Sequence, residues 1–239
     1  MDFQLVRTDC PEGCGAKSVL LKLAIHMSSH WLTQIDLFLK SETKLRDAYS
    51  LIYFFNGIMK EITFFGRGGQ GAVVASEMLA DAYFHEGYQV QSFPSFGVER
   101  RGAPVMAFLR VDKEFIYLRS MIYKIDFGVV LAPDIVNAPI FKPTLKAETV
   151  SLINSREKWP QLDGIKASYI DATGIALEYG LGSKAQPLVN TAMLGAFAKI
   201  SGDLKLDNLL QAVKDNVPQK TDMNIKAVIK AYESAASYE

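Results

Sequence analysis

A short span with four glycines, "GRGGQG" at residues 66–71, carries the strongest chemical signal in the sequence. Gly66, Gly68 and Gly71 fit the spacing G-x-G-x-x-G, in which glycines let the backbone approach a phosphate. The span follows an apolar run and precedes a helical pattern, and a helix N-terminus attracts anions through its N–H groups and its dipole. The pattern predicts an anion-binding turn. A tight turn that binds no ligand is the structural alternative.

A dinucleotide is one candidate ligand for this turn. Enzymes that bind one place an Asp or Glu on the ribose about 20 residues further on. Here that region is "QVQSFP" at 89–94, which contains no carboxylate. Arg67 and Gln70 would also crowd a dinucleotide, and we expect their side chains to point outward. Because no histidine follows His85 either, a stand-alone NAD(P)-dependent oxidoreductase of Rossmann type is kept only as the alternative function.

A second polar loop, "SFPSFGVERRGAP" at 92–104, carries Glu99, Arg100 and Arg101 directly before Gly102. Arginine binds phosphate or carboxylate through two parallel hydrogen bonds. In a parallel sheet this loop leaves the carboxyl end of the second strand, at the same edge as the glycine turn, so both loops can line one crevice. A solvated turn in which Glu99 pairs with an arginine is the structural alternative.

The elements that position these loops alternate between strands and helices. A buried strand at 61–66 leads into the glycine turn, and a helix at 72–87 follows it. Further strands are predicted at 88–93, 126–133, 148–154 and 167–172, and further helices at 173–180, 189–202, 206–217 and 224–236. An antiparallel hairpin is predicted from 105–111 and 115–120 around "DKE". The fold class is therefore α/β, an open, mostly parallel sheet with flanking helices, this hairpin and a Rossmann-like glycine turn.

Composition excludes several classes of protein. Lys plus Arg number 26 and Asp plus Glu number 26, so no net field draws the chain toward nucleic acid or an anionic membrane. No apolar run approaches the roughly 20 residues that span a bilayer. The N-terminus lacks a basic region followed by a long apolar stretch, so we expect a cytoplasmic protein.

The cysteines argue against a metal centre in this chain. Cys10 and Cys14 are the two cysteines of the sequence. An iron–sulfur cluster normally takes four cysteine ligands, and a structural zinc needs four Cys or His ligands. Only His26 and His30 could complete a zinc set, at an unusually wide cysteine spacing. We expect no metal site and two free thiols.

A change of character at Met59 divides the chain into two predicted parts. Residues 1–58 hold both cysteines and two of the three histidines. We predict that they form an N-terminal extension, either disordered or encoded from an upstream start. A genuine helix at 41–55 is the alternative, because Ser41 can cap it. The second part, 59–239, begins with a strand pattern and is the predicted domain.

Three separated motifs resemble one known family. They are "GRGGQGAVVASEMLADA" at 66–82, "SFPSFGVERRGAPVMAFLR" at 92–110 and "VNTAMLGAFAKISG" at 189–202. In this order and spacing they are similar to the gamma subunit of the 2-oxoacid:ferredoxin oxidoreductases, of which pyruvate:ferredoxin oxidoreductase is a member. The likeness covers about residues 59–235, and "FGVERRGAPV" resembles the pyruvate and branched-chain members most.

The resemblance implies a role within a complex. Members of this family decarboxylate a 2-oxoacid on thiamine diphosphate, send electrons through [4Fe-4S] clusters to ferredoxin, and pass the acyl group to coenzyme A. The gamma subunit holds neither the thiamine diphosphate with its Mg²⁺ nor the clusters, and it is not active alone. Its implied partners are alpha, beta and delta-type subunits, ferredoxin through the complex, and coenzyme A.

The resemblance also implies where this chain meets those partners. Its two polar loops are expected to face the other subunits and the coenzyme A entrance, with Arg67 and Gln70 directed toward the shared active site. The candidate binding residues are Gly66, Arg67, Gly68, Gly69, Gln70, Gly71, Glu99, Arg100, Arg101 and Gly102. No residue is assigned a catalytic role.

Overall fold

The computed structural model describes residues 59–95, 102–159 and 165–235, all within one compact unit. The predicted extension at 1–58 lies outside the described residues, so its boundary stays a prediction. Glu99, Arg100 and Arg101 also lie outside them.

The described chain alternates strands with helices. Its strands are β1 (Lys60–Arg67), β2 (Gln89–Pro94), β3 (Pro104–Asp112), β4 (Ile125–Val130), β5 (Leu145–Asn154), β6 (Lys166–Ile170), β7 (Gly182–Ser183) and β8 (Gln186–Pro187). Its helices are α1 (Ala72–His85), α2 (Ala172–Glu178), α3 (Asn190–Ser201), α4 (Leu206–Asn216) and α5 (Thr221–Ser234), with 3-10 turns at Pro133–Asn137 and Lys142–Thr144. The predicted strands at 61–66, 88–93, 126–133, 148–154 and 167–172 correspond to β1, β2, β4, β5 and β6.

Six of the described strands form one sheet in the order β2-β3-β1-β4-β5-β6. Strands β1, β4, β5 and β6 run parallel, and β3 is antiparallel to both β1 and β2. A mostly parallel sheet with an antiparallel hairpin is therefore confirmed. The short β7–β8 pair forms a separate antiparallel ribbon.

The hairpin is built from other strands than predicted. Its second strand, β3, agrees with the predicted 105–111, but its partner is β2, and the predicted strand at 115–120 is not formed. The physical reason is that β3 pairs with β1 on one side and with β2 on the other. Because both edges of β3 are already paired, the chain after Asp112 cannot add a further strand beside it.

Two hydrophobic cores lie on opposite faces of the sheet. On one face, Ile62, Phe64 and Val129 pack with residues of helices α1 to α5. On the other, Phe65 and Val130 pack with buried residues of the connections that lead into and out of β4 and β5. Alternating side chains of β1 therefore serve both cores, as a central strand buried on both faces requires.

Helix α3 is the most deeply buried of the described helices, with eight consecutive buried residues from Thr191 to Ala198. It packs closely on α5, because a Cβ on Gly195 would lie 2.9 Å from the Cα of Val228. The buried Thr191 hydroxyl also donates a 2.9 Å hydrogen bond to Asn224 Oδ1 on α5. This contact fixes where the first residue of α3, Asn190, lies.

Candidate functional site

The glycine turn lies at the carboxyl end of β1, where the order of the sheet reverses. From β1 the chain crosses through α1 to β2 on one side, and it later returns to β4 on the other side of β1. Open α/β sheets bind ligands in the crevice at such a switch point. The predicted anion-binding turn thus occupies the position that the topology favours for a ligand.

Two hydrogen bonds between Arg67 and Gln70 close the turn. The Gln70 N–H donates to the Arg67 carbonyl oxygen at 3.0 Å, and Gln70 Oε1 accepts a 2.8 Å hydrogen bond from the Arg67 N–H. Gln70 therefore does not point outward as predicted, because its amide closes the turn. Gly69 and Gly71 have φ angles of 96° and 77°, which residues with a Cβ rarely adopt.

Arg67 joins three segments of the sheet edge. Its Nε donates to Asp134 Oδ2 at 3.0 Å, and its Nη2 contacts the same oxygen. Its Nη1 donates to the Gly102 carbonyl oxygen at 2.7 Å. The hydrogen bond to Asp134 raises the pKa of the Arg67 guanidinium, a group that is charged at physiological pH in any protein. Arg67 thereby connects the turn to the 3-10 turn after β4 and to the start of β3.

The second polar loop returns to the glycine turn, as the sequence predicts. The Gly68 N–H donates to the Ala103 carbonyl oxygen at 3.0 Å, directly after Gly102. Gly102 has a φ of 82° and open space where a Cβ would be. The described ends of the loop, at Ser95 and Gly102, lie at the carboxyl ends of β2 and β1. The orientations predicted for Glu99, Arg100 and Arg101 stay predictions.

Two helix N-termini lie side by side at this edge. A Cβ on Gly71, the residue before α1, would lie 2.8 Å from Nδ2 of Asn190, the first residue of α3. Neither helix has a side-chain cap, and neither has an acidic residue in its first turn. Because helix N-termini carry partial positive charge, their proximity strengthens the attraction for an anion.

The ends of β4 and β5 extend the same edge. Asn154, 6% exposed at the end of β5, donates to the Leu131 carbonyl oxygen at 2.9 Å. It also accepts a 3.1 Å hydrogen bond from the Thr173 N–H in the first turn of α2. This amide fixes the connection after β4, from which Asp134 projects to Arg67.

Sequence reasoning missed three residues of this site. Asp134 pairs with Arg67, Asn190 lies beside Gly71, and Gln186 would collide with a Cβ on Gly69. Asn190 lies within "VNTAMLG", one of the motifs that carried the family resemblance. That motif is the sequence signal that could locate Asn190 at the site.

Elsewhere on the surface, one group of described side chains has the composition of a metal site. Asp81, His85 and Asp215 each bring a ligand atom within 4.8 Å of the others. Amides already donate to both carboxylates, Asn216 to Asp81 and Gln211 to Asp215. The absence of a metal in this chain stays a prediction.

Within the described residues, none of the helices combines the length and the apolar character that crossing a membrane requires.

We call the glycine turn, Gly102 and the first turns of α1 and α3 the glycine edge. Comparison with a known family places a chain with this fold and this edge among the oxidoreductases. The sequence model of the family "Pyruvate ferredoxin/flavodoxin oxidoreductase" matches residues 61–234, so the chain belongs to this family. The match includes the glycine turn, the second loop and the α3 motif. The family resemblance that these three motifs predicted is confirmed.

Within the family, the similar proteins are of the gamma or PorC type. The chain is 48% identical over 176 residues to pyruvate synthase subunit PorC of Methanothermobacter marburgensis, covering 73% of this chain and 97% of the relative. It is 43% identical over 189 residues to the pyruvate/ketoisovalerate oxidoreductases common subunit gamma of Pyrococcus furiosus, covering 76% and 100%. These relatives are subunits of multi-subunit oxidoreductases and do not support the NAD(P) alternative.

A solved structure agrees with this assignment. The crystal structure of pyruvate oxidoreductase subunit PORC from Thermotoga maritima superposes with a TM-score of 0.64 at 31% identity. The match covers 74% of this chain and 97% of that chain. The α/β fold of this chain is thus the fold of PORC.

Proposed function

We propose that this chain is the gamma subunit of a pyruvate, or closely related 2-oxoacid, ferredoxin oxidoreductase, and that its glycine edge forms part of the coenzyme A entrance. The assembled enzyme decarboxylates the 2-oxoacid oxidatively, forms acyl coenzyme A and passes electrons to ferredoxin in the cytoplasm. Relatives named for pyruvate synthase and for pyruvate and ketoisovalerate oxidoreductases support this substrate class.

The proposal rests on the meeting of two helix N-termini and two loops at the point where the strand order reverses. Two uncapped helix N-termini meet beside the glycine turn, and Arg67 ties that turn to Gly102, the end of the arginine loop. Coenzyme A brings several phosphate charges to its site. Main-chain donors, helix dipoles and the Arg100 and Arg101 side chains together provide the complementary charge.

The remaining cofactors belong to the other subunits in this proposal. Alpha, beta and delta-type subunits hold the thiamine diphosphate with its Mg²⁺ and the [4Fe-4S] clusters. The sequence supports this division, because residues 15–239 contain no cysteine. The gamma subunit supplies binding surface at the shared active site and no redox group.

The proposal is tested by replacing Arg100 or Arg101 with Ala in the reconstituted complex. Loss of one charge-assisted hydrogen bond costs about 1.5 to 3 kcal/mol. The KM for coenzyme A should therefore rise roughly 10-fold to 150-fold. Cluster reduction by the 2-oxoacid without coenzyme A should change little. Lys205→Ala is the control, because Lys205 is an exposed cation paired with Glu86 at the C-terminal end of α1, the end away from the glycine turn.

Two results would contradict this proposal. If the arginine variants assemble and show the parent KM for coenzyme A, the loop is a structural turn. If they do not assemble, the arginines are interface residues and the coenzyme site belongs to the other subunits. Titration of the isolated chain with NADH and NADPH checks the alternative function, for which we expect no binding.

A further inference from the structure

The connection between β3 and β4 exposes an unusual concentration of large apolar side chains. We call residues 115–123 the aromatic arc. Its exposed members are Phe115 (58% exposed), Tyr117 (82%), Leu118 (49%), Met121 (44%) and Tyr123 (71%). Single exposed apolar residues are normal on a protein surface, but a contiguous group marks an interaction site.

The arc lies at the opposite end of the sheet from the glycine turn. Strand β3 begins beside Arg67 and ends beside Lys60, and β4 begins at that same end. The arc joins these two strand ends. The coenzyme edge proposed above therefore does not account for its exposed surface.

The exposed area is large enough to matter for assembly. At about 200 Å² per aromatic side chain, Phe115, Tyr117 and Tyr123 together present roughly 400 Å² to solvent. A specific interface buries about 800 Å² on each partner. The three rings alone thus provide about half of one side of such an interface.

The arc is held in place by the domain although it has no regular secondary structure. Ile116 and Ile122 are 7% and 4% exposed and anchor it in the core. The Phe115 and Tyr117 rings pack edge to face at 4.8 Å between centroids. Because these two rings already pack against each other, they lose less conformational entropy when a partner covers them than free side chains would.

A buried arginine hydrogen-bonds to the main chain of the arc. Arg110 is 1% exposed, and its Nη2 donates to the Met121 carbonyl oxygen at 3.3 Å. Its other donors bond Glu61 and Gln91, each at 3.1 Å. A fully buried arginine is rare and requires complete pairing. Arg110 is thus a positioning residue for the arc.

The charges around the arc indicate the chemistry of its partner. Lys113, Arg119 and Lys124 are exposed cations along it, whereas Glu114 is an exposed acid. In a two-fold dimer the same surface faces itself, so an excess of exposed cations over acids on one copy would face the same excess on the other. A different protein with an apolar groove and an acidic rim matches both the rings and the charges.

We infer that the aromatic arc docks another subunit of the same oxidoreductase, one that offers an apolar groove rimmed by carboxylates. This inference rests on the proposed function, because it requires the chain to work within a hetero-oligomer. It assigns the two ends of the sheet separate roles. The glycine edge meets coenzyme A, and the arc holds the subunits together.

The test uses the full chain co-expressed with the other subunits of the complex. The variant is Tyr117→Asp combined with Tyr123→Asp, which places two carboxylates in the acid-rimmed groove. Phe84→Asp is the matched control, because Phe84 is 60% exposed on α1. Both variants should melt like the parent, since surface substitutions change stability little.

We expect the arc variant to lose affinity for the other subunits by at least about 30-fold, the effect of losing one aromatic hot spot. Co-purification and native mass spectrometry measure this loss. The Phe84→Asp chain should assemble normally. At saturating concentrations of the other subunits, the arc variant should recover the parent KM for coenzyme A, unlike the arginine-loop variants.

Other outcomes would overturn the inference. Assembly of the arc variant as tight as that of Phe84→Asp excludes the arc from the interface. A parent chain that is dimeric alone, with an arc variant that is monomeric but still joins the complex, identifies a second copy as the occupant. If the parent itself fails to join the other subunits, the proposed function fails first.

Discussion

Gly195 in the middle of α3 allows a prediction whose sign is decided by the structure. An alanine is preferred over glycine inside a helix by about 1 kcal/mol, so Gly195→Ala should stabilise a helix with free space around it. Here the new Cβ would overlap the Val228 carbonyl oxygen and lie 2.9 Å from the Val228 Cα. Carbon atoms pack best at about 3.5 to 4.0 Å. Helices α3 and α5 must therefore separate by at least roughly 0.6 Å.

The expected magnitude follows from these opposing effects. Overpacking a core costs about 1 to 3 kcal/mol, and the overlap with main-chain atoms favours the upper value. After subtraction of the gain in helix propensity, we expect Gly195→Ala to lower the free energy of unfolding by about 2 kcal/mol. For a domain of this size the melting temperature should fall by roughly 4 to 8 °C.

Thermal and denaturant unfolding of the isolated chain measure this change. Because α3 begins at Asn190 beside Gly71, its displacement should also raise the KM for coenzyme A in the reconstituted complex. Gly202→Ala is the control. It strains a residue with a φ of 69°, but nothing lies within 4 Å of the new Cβ, so α3 should not move. Val228→Ala should not rescue Gly195→Ala, because the overlap is with the main chain. A Gly195→Ala protein as stable as the parent would refute the reasoning.

Three further predictions concern stability. Burial, with the nearby Asp203 carboxylate at 2.9 Å, raises the pKa of the Tyr83 phenol well above its usual range. The folded protein therefore keeps this proton above about pH 10 while the unfolded chain loses it, and the free energy of unfolding should fall by about 1.4 kcal/mol per pH unit there. In Tyr83→Phe, the free energy of unfolding should therefore fall less steeply with pH above about pH 10. Equilibrium unfolding at several pH values measures this, and equal slopes for the variant and the parent would contradict the prediction. Thr191→Val should cost about 1 to 3 kcal/mol in denaturant unfolding by leaving the buried Asn224 Oδ1 without its donor, whereas Thr191→Ser should cost much less. Deleting residues 1–58 should leave the melting temperature unchanged, because β1 begins at Lys60 and pairs on both sides with β3 and β4; a large drop would show that the segment stabilises the domain.

The sequence predicts the elements of this fold well because their signals are local. Apolar runs of strand length, helical periodicity and glycines at helix ends reveal β1, α1, β4 and α3 before any contact is known. The placement of both polar loops at one edge also follows, since parallel strands share their carboxyl ends. These predictions require only the direction of each strand.

The features that cannot be predicted from the sequence depend on which strands and helices are neighbours in the fold. The periodicity of 115–120 resembles a strand, but whether it forms one depends on whether β3 has a free edge. Asp134 reaches Arg67 across 67 positions of the chain because β4 lies next to β1. Asn190 reaches Gly71 because α3 is seated on α5. No local pattern determines such neighbours.

The partners of Arg67 determine which groups at the glycine edge remain to bind an anion. The charge of Arg67 is balanced by Asp134, and both side chains are partly exposed, at 39% and 52%. Such an exposed pair contributes at most about 1 kcal/mol to stability, so its main effect is geometric. Arg67 holds the Gly102 carbonyl and thereby the end of the arginine loop against the turn. In the coenzyme A site that we propose, the positive potential is then expected from the two helix N-termini and from Arg100 and Arg101, while Arg67 and Gln70 close the turn between them.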